Sequence, residues 1–132
     1  MASIVIAEDE GVVAMDLEFL LKRAGYQVLA IVVSGEDVID QVGKLRPDLV
    51  LMDIGLLGEI DGIEAARVVQ ERFGAVVVYL TAHTDADTFR RAESTGPLGY
   101  LAKPFEEGAL RATLVTALGG RKQHPVSLDE NS

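Results

Sequence analysis

Apolar residues in this chain fall into two alternating patterns. Ile4-Val5-Ile6-Ala7, Leu49-Val50-Leu51-Met52 and Ala75-Val76-Val77-Val78-Tyr79-Leu80 are nearly unbroken apolar runs. That is the pattern of strands covered on both faces. Between such runs the apolar residues recur at helical spacing, as with Val13, Leu17, Leu20, Leu21 and Ala24. The pattern predicts strands over residues 3–7, 27–33, 49–52, 75–80 and 99–102. It predicts helices over 11–24, 34–45, 63–73, 84–94 and 106–118. Ser34 opens the second helix with Asp37 three residues on, a capping-box arrangement, and Arg46-Pro47 breaks it. Alternating strands and helices predict an α/β fold, a doubly wound five-stranded parallel sheet with helices on both faces. Residues 1–118 are expected to form one folded domain, and 119–132 a flexible polar tail after Gly119-Gly120.

Several chemically active residues stand at the ends of those strands. Glu8 and Asp9 follow the first run, Asp53 the third, Thr81 the fourth, and Lys103-Pro104 the fifth strand. In an open parallel sheet these ends share one edge, which is where such sheets bind ligands. Two carboxylates a few ångströms apart repel by roughly 4 kcal/mol at an effective dielectric near 20. Three in one cleft call for a cation or for protons. Mg²⁺ suits one or two carboxylates plus waters and a phosphate oxygen. The plainer alternative is that Glu8 and Asp9 cap the helix beginning near Glu10. A second acidic site at the matching end of another strand favours the cation. Asp53 precedes a loop rich in glycine, which leaves its carboxylate open to a reactant. A carboxylate there is able to act as a nucleophile toward phosphorus.

Composition narrows the setting. With 132 residues, 48% of them hydrophobic, the chain has enough apolar material for one core. The formal net charge of -9 disfavours direct nucleic-acid binding and an anionic membrane surface. There is no cysteine, so no disulfide framework or thiolate chemistry. The first apolar run is too short to span a membrane and lacks a basic flank. A cytoplasmic protein is expected.

The motifs resemble a known family. Ile4-Val5-Ile6-Ala7-Glu8-Asp9-Glu10, Pro47-Asp48-Leu49-Val50-Leu51-Met52-Asp53, Asp61-Gly62-Ile63-Glu64, Val78-Tyr79-Leu80-Thr81-Ala82 and Gly99-Tyr100-Leu101-Ala102-Lys103-Pro104-Phe105 are similar to the receiver domains of two-component response regulators. The resemblance runs from about residue 3 to 118. It implies a flavodoxin-like fold with strand order 2-1-3-4-5. It implies that Asp53 is the phosphoacceptor and that Glu8, Asp9, Asp53 and the Gly55 backbone carbonyl hold Mg²⁺. Thr81 would hydrogen-bond the phosphoryl group, Lys103 would pair with it, and Tyr100 would change rotamer with it. The Lys103–Pro104 peptide would be cis. Gly55 and His83, two residues beyond Asp53 and Thr81, stand where the family tunes access of water to the acyl phosphate. The implied partners are a histidine kinase or histidine phosphotransfer protein and an unknown downstream protein. The chain departs from the family's common pattern after Asp53. Leu57 stands where proline is usual, and the segment to Gly62 is one residue longer.

The residues also bear on competing functions. A metal-dependent phosphatase with an aspartyl nucleophile usually carries a second acid two residues on, where this chain has Gly55. A nucleotide- or flavin-binding protein would want a glycine-rich loop after the first strand, where this chain has Glu8-Asp9-Glu10-Gly11. Val12, Met15 and Phe19 form a second apolar line on the first helix, either further core or a docking surface for a kinase's helical domain. The fourth helix has only Ala86, Phe89 and Ala92 as apolar positions, which fits either a switching element or an ordinary edge helix. Arg90 and Arg91 are expected as solvated charge. No DNA-binding or enzymatic output domain is expected beyond the tail. A stand-alone receiver, a piece of a larger regulator and a receiver from a hybrid kinase all stay open.

Overall fold

A computed structural model describes residues 1–56, 58–82 and 84–126, with backbone only for 120–126. Leu57, His83 and 127–132 lie outside the described residues. The elements alternate as β1 (Ser3–Ala7), α1 (Gly11–Arg23), β2 (Gln27–Val32), α2 (Gly35–Leu45), β3 (Leu49–Asp53), α3 (Gly62–Phe73), β4 (Val77–Thr81), α4 (Ala86–Glu93), β5 (Gly99–Ala102) and α5 (Glu107–Val126). The five strands are parallel, in the order β2-β1-β3-β4-β5.

Residue alternation along each strand divides the core between the two faces of the sheet. Ile4, Ile6, Leu49, Leu51, Val78 and Leu80 pack with Leu17 and Leu21 of α1 and Leu110 and Leu114 of α5. Val5, Ala7, Val50, Met52, Val77 and Tyr79 pack with Val38 and Val42 of α2, Ile63 and Val69 of α3 and Ala92 of α4. Burying one such leucine contributes roughly 2 kcal/mol. With both faces covered, β1, β3 and β4 cannot alternate polar with apolar. That is why they read as continuous apolar runs.

Local chemistry sets the helix ends. Ser34 accepts a hydrogen bond from Asp37 N at 3.2 Å and caps α2. Arg46 ends α2 in the left-handed region at φ 49°, directly before Pro47. Asp61 caps α3 by accepting from Glu64 N at 2.9 Å. Asp85 caps α4 by accepting from Thr88 N at 2.7 Å. The fourth helix therefore starts at Ala86 and not at Thr84, because the Asp85 carboxylate takes up an amide that the helix leaves unpaired. The α5 helix runs past Gly119-Gly120, where the pattern placed its end. A glycine costs a helix about 1 kcal/mol relative to alanine, which weakens it without stopping it.

Candidate functional site

The register brings the strand ends to one edge. Ala7 pairs with Met52, Asp53 with Leu80, and Thr81 with Ala102. Glu8, Asp9, Asp53, Thr81 and Lys103 thus occupy adjacent strand ends although the chain separates them widely. Carboxylate oxygens of Glu8, Asp9 and Asp53 all lie within 4.8 Å of one another. Glu8 and Asp53 are buried, whereas Asp9 is exposed. The Lys103 ammonium lies 2.8 Å from Glu8 Oε1, 3.5 Å from Asp53 Oδ2 and 3.8 Å from Glu10 Oε1. The Lys103–Pro104 peptide is cis.

The capping alternative for Glu8 and Asp9 is met in part. Glu10 is the N-cap of α1, and its own side chain makes no cap hydrogen bond. Glu8 Oε2 instead accepts from Glu10 N at 3.1 Å. Burial pushes the Glu8 carboxyl above its ordinary range and the Asp53 charge adds to this, while Lys103 and the Glu10 amide oppose it. Burial alone would lower the Lys103 ammonium, but Glu8 and Asp53 outweigh it and the net shift is upward. Lys103 is therefore held as a cation.

One ammonium does not balance three carboxylates. Glu8 Oε1 is buried and accepts no well-directed hydrogen bond, for all its nearness to Lys103. An underbonded buried oxygen beside two further carboxylates is a donor set for a hard divalent cation. Asp53 Oδ1 accepts from Gly55 N at 3.0 Å, which fixes one carboxylate oxygen. A Cβ on Gly55 would stand 3.8 Å from Asp53 Oδ1, so no bulk is forced on that carboxylate from this side.

Two features escaped the pattern. The first is Gly62, where a Cβ would lie 2.2 Å from the Asp53 carbonyl oxygen. The start of α3 is therefore pressed against the backbone of Asp53. The Asp61-Gly62 pair was visible as a motif, but nothing in its spacing announces this approach. The second is the set of ties on the lengthened loop after Asp53. Glu36 of α2 accepts from Glu59 N at 2.9 Å, and Arg91 of α4 pairs with Asp61 at 3.1 Å. Arg91 is thus half-exposed yet bridges two helices, whereas Arg90 pairs with Asp87 of its own helix.

Tyr100 lies on the side of the sheet that faces α4. Its ring stacks on Tyr79 at 5.9 Å between centroids and meets Phe89 at 5.0 Å. Its hydroxyl donates to Glu93 Oε1. Burial and the Glu93 carboxylate push the phenol well above its ordinary pKa, so it stays a donor. Tyr79 is fully buried, with its hydroxyl bonded to Thr95 Oγ1 at 2.8 Å. On α1 the second apolar line is not core: Val12, Met15 and Phe19 are 83%, 69% and 59% exposed.

Comparison with known proteins agrees with this geometry. The response regulator receiver domain family matches residues 4–115, and the chain belongs to that family. It is 36% identical over 102 residues to the transcriptional regulatory protein PdtaR of Mycobacterium tuberculosis, covering 77% of this chain and 49% of that protein. It is 31% identical over 125 residues to the DNA-binding response regulator MtrA of Mycobacterium leprae, covering 95% of this chain and 55% of that one. The chain thus spans about half the length of these relatives. Among solved structures it resembles the signal receiver domain of a modulated diguanylate cyclase from Desulfovibrio desulfuricans. That match has a TM-score of 0.89 and 34% identity, covering 92% of this chain and 97% of that one. It also resembles the receiver domain of a sensor histidine kinase from Pseudomonas aeruginosa, with a TM-score of 0.80 and 29% identity over 89% of this chain and 98% of that one. That structure has a magnesium ion coordinated in its active site cleft. This is a receiver domain of two-component signalling, and the phosphatase alternative has no support. Among the described residues no helix is long and apolar enough to cross a membrane.

Proposed function

We propose that Asp53 is the phosphoacceptor of this receiver. The observation that carries the reading is the convergence of Glu8, Asp9, Asp53 and Lys103 on one cleft. An Asp53 carboxylate oxygen attacks the phosphorus of a phosphohistidine. The P–O bond of an acyl phosphate forms as the P–N bond breaks, and the departing imidazole takes up a proton. Glu8, Asp9, Asp53 and the Gly55 carbonyl would hold Mg²⁺, which supplies positive charge at the phosphoryl oxygens when bound. Lys103 supplies a second positive charge from the β5 side. Thr81, at the end of β4, donates its hydroxyl to the phosphoryl group. Gly55 leaves room for water, and so permits slow self-catalysed loss of the group. His83 shares in that tuning.

The phosphodonor is a histidine kinase or histidine phosphotransfer protein. Its helical surface packs on Val12, Met15 and Phe19, which α1 leaves exposed directly beyond the acidic residues. Phosphorylation adds close to two negative charges at Asp53. Thr81 moves toward them, Tyr100 turns inward, and the α4-β5-α5 surface changes shape for a downstream protein. The charge of -9 argues against direct DNA contact by this domain. A cytoplasmic setting fits a kinase-fed receiver. The test is incubation with phosphoramidate and Mg²⁺. One base-labile phosphoryl group should appear on the wild type and none on Asp53→Asn.

A further inference from the structure

Glu93 is the last residue of α4, and its carboxylate accepts the Tyr100 hydroxyl. Among the described residues it makes no ion pair, although Arg90 and Arg91 are near in sequence. Arg90 is taken by Asp87 and Arg91 by Asp61. The carboxylate is thus committed to the phenol. The α4 helix begins five residues after Thr81, so its far end lies away from the sheet edge that carries Asp53. The Tyr100 hydroxyl is drawn toward that far end. Its ring lies there between Tyr79, which is fully buried in the core, and Phe89, which is 45% exposed.

We propose that Glu93 is a positioning residue that latches Tyr100 in the resting state, a claim that rests on the switching role given above to Tyr100. The inward turn of Tyr100 requires this hydrogen bond to break. It also requires Phe89, and with it the last turn and a half of α4, to shift. Few other ties hold α4. Ala92 is its only fully buried residue, and Arg91–Asp61 is a half-exposed pair. The latch therefore sets how much of the inward state is populated before any phosphoryl group arrives. A hydrogen bond to a charged acceptor is stronger than a neutral one, which makes an acid at this position an effective brake.

The experiment compares wild type, Glu93→Leu and Glu93→Gln by NMR, without phosphodonor. The readout is contact of the Tyr100 ring with the Thr81 methyl against contact with the methylenes of residue 93. In Glu93→Leu, which has no acceptor, the ring should approach the Thr81 methyl, and its shifts should move toward those of the phosphorylated wild type. Glu93→Gln, which keeps an acceptor oxygen, should restore the wild-type pattern in large part. Phosphorylation by phosphoramidate should be faster in Glu93→Leu by about threefold or more, the size of a modest population shift. Tyr100 ring shifts in Glu93→Leu that stay at their resting wild-type values would overturn the latch. Failure of wild-type Asp53 to take up a phosphoryl group would overturn the receiver chemistry instead, and the ring contacts would still judge the latch.

Discussion

The Lys103 ammonium stands nearer to Glu8 than to Asp53, at 2.8 Å against 3.5 Å. Glu8 is the more deeply buried acid, and its Oε1 has no directed hydrogen bond. A cation seeks the charge that water cannot reach. Without a metal, Lys103 serves first as counterion to Glu8 and leaves Asp53 only loosely paired. The same ammonium thus neutralises Glu8 closely and Asp53 more loosely.

Lys103→Ala should therefore lose stability as well as output. Removing one partner of a buried pair costs roughly 3 kcal/mol. Urea unfolding without Mg²⁺ should show a loss of that order, and Glu8→Gln in the same background should recover part of it. Phosphorylation of Asp53 should persist, because the nucleophile is unchanged. Equal stability of Lys103→Ala and wild type would contradict the pairing.

Mg²⁺ should stabilise the folded chain by mass action. At a hundredfold excess over its dissociation constant the gain is about 2.7 kcal/mol. Asp9→Asn should lose most of that gain while costing little by itself, since Asp9 is exposed. Thermal melts with and without Mg²⁺ read both quantities. A gain in Asp9→Asn equal to that of wild type would remove Asp9 from the donor set.

Gly62→Ala should displace the end of β3. The added methyl meets the Asp53 carbonyl at 2.2 Å, a distance that forces the backbone to move. A loss of more than about 2 kcal/mol is expected, in the range of severe overpacking, together with slower phosphorylation. Gly108→Ala is the control. Its Cβ meets nothing within 4 Å, so it should be neutral or mildly stabilising.

Asp61 gives a pH signature. Burial would raise its carboxyl, but the Glu64 amide and Arg91 outweigh this and hold it below the ordinary value of 3.8. A carboxyl depressed in the folded state stabilises fully above its unfolded pKa, and the benefit is lost as pH falls through the folded value. Asp61→Asn should cost less than about 1 kcal/mol at pH 6, since the Arg91 pair is half-exposed and asparagine still caps. The two proteins should converge in stability as pH falls below 3.8. A gap that widens on acidification would reverse the assigned sign.

The sheet edge was legible because chemistry and pattern coincide there. Glu8, Asp53 and Lys103 each follow an apolar run directly, so period and position place them together. The start of α4 was read two residues early: Asp85 has an extended backbone and caps the helix through the Thr88 amide, so the helix begins at Ala86. The burial of Val12, Met15 and Phe19 stayed open, because an apolar line on a helix looks the same whether or not something covers it. Glu36–Glu59, Gly62–Asp53 and Glu93–Tyr100 were invisible for a common reason. Each joins positions whose nearness depends on how whole helices pack, and the sequence around each one is ordinary.

The most direct measurement is reductive trapping of the phosphorylated chain. Borohydride reduces an acyl phosphate to an alcohol, so peptide mapping by mass spectrometry should find Asp53 converted to homoserine, dependent on Mg²⁺ and on the phosphodonor. Conversion at a different acidic residue, or a phosphoryl group that survives base as an ester, would contradict the assignment of Asp53.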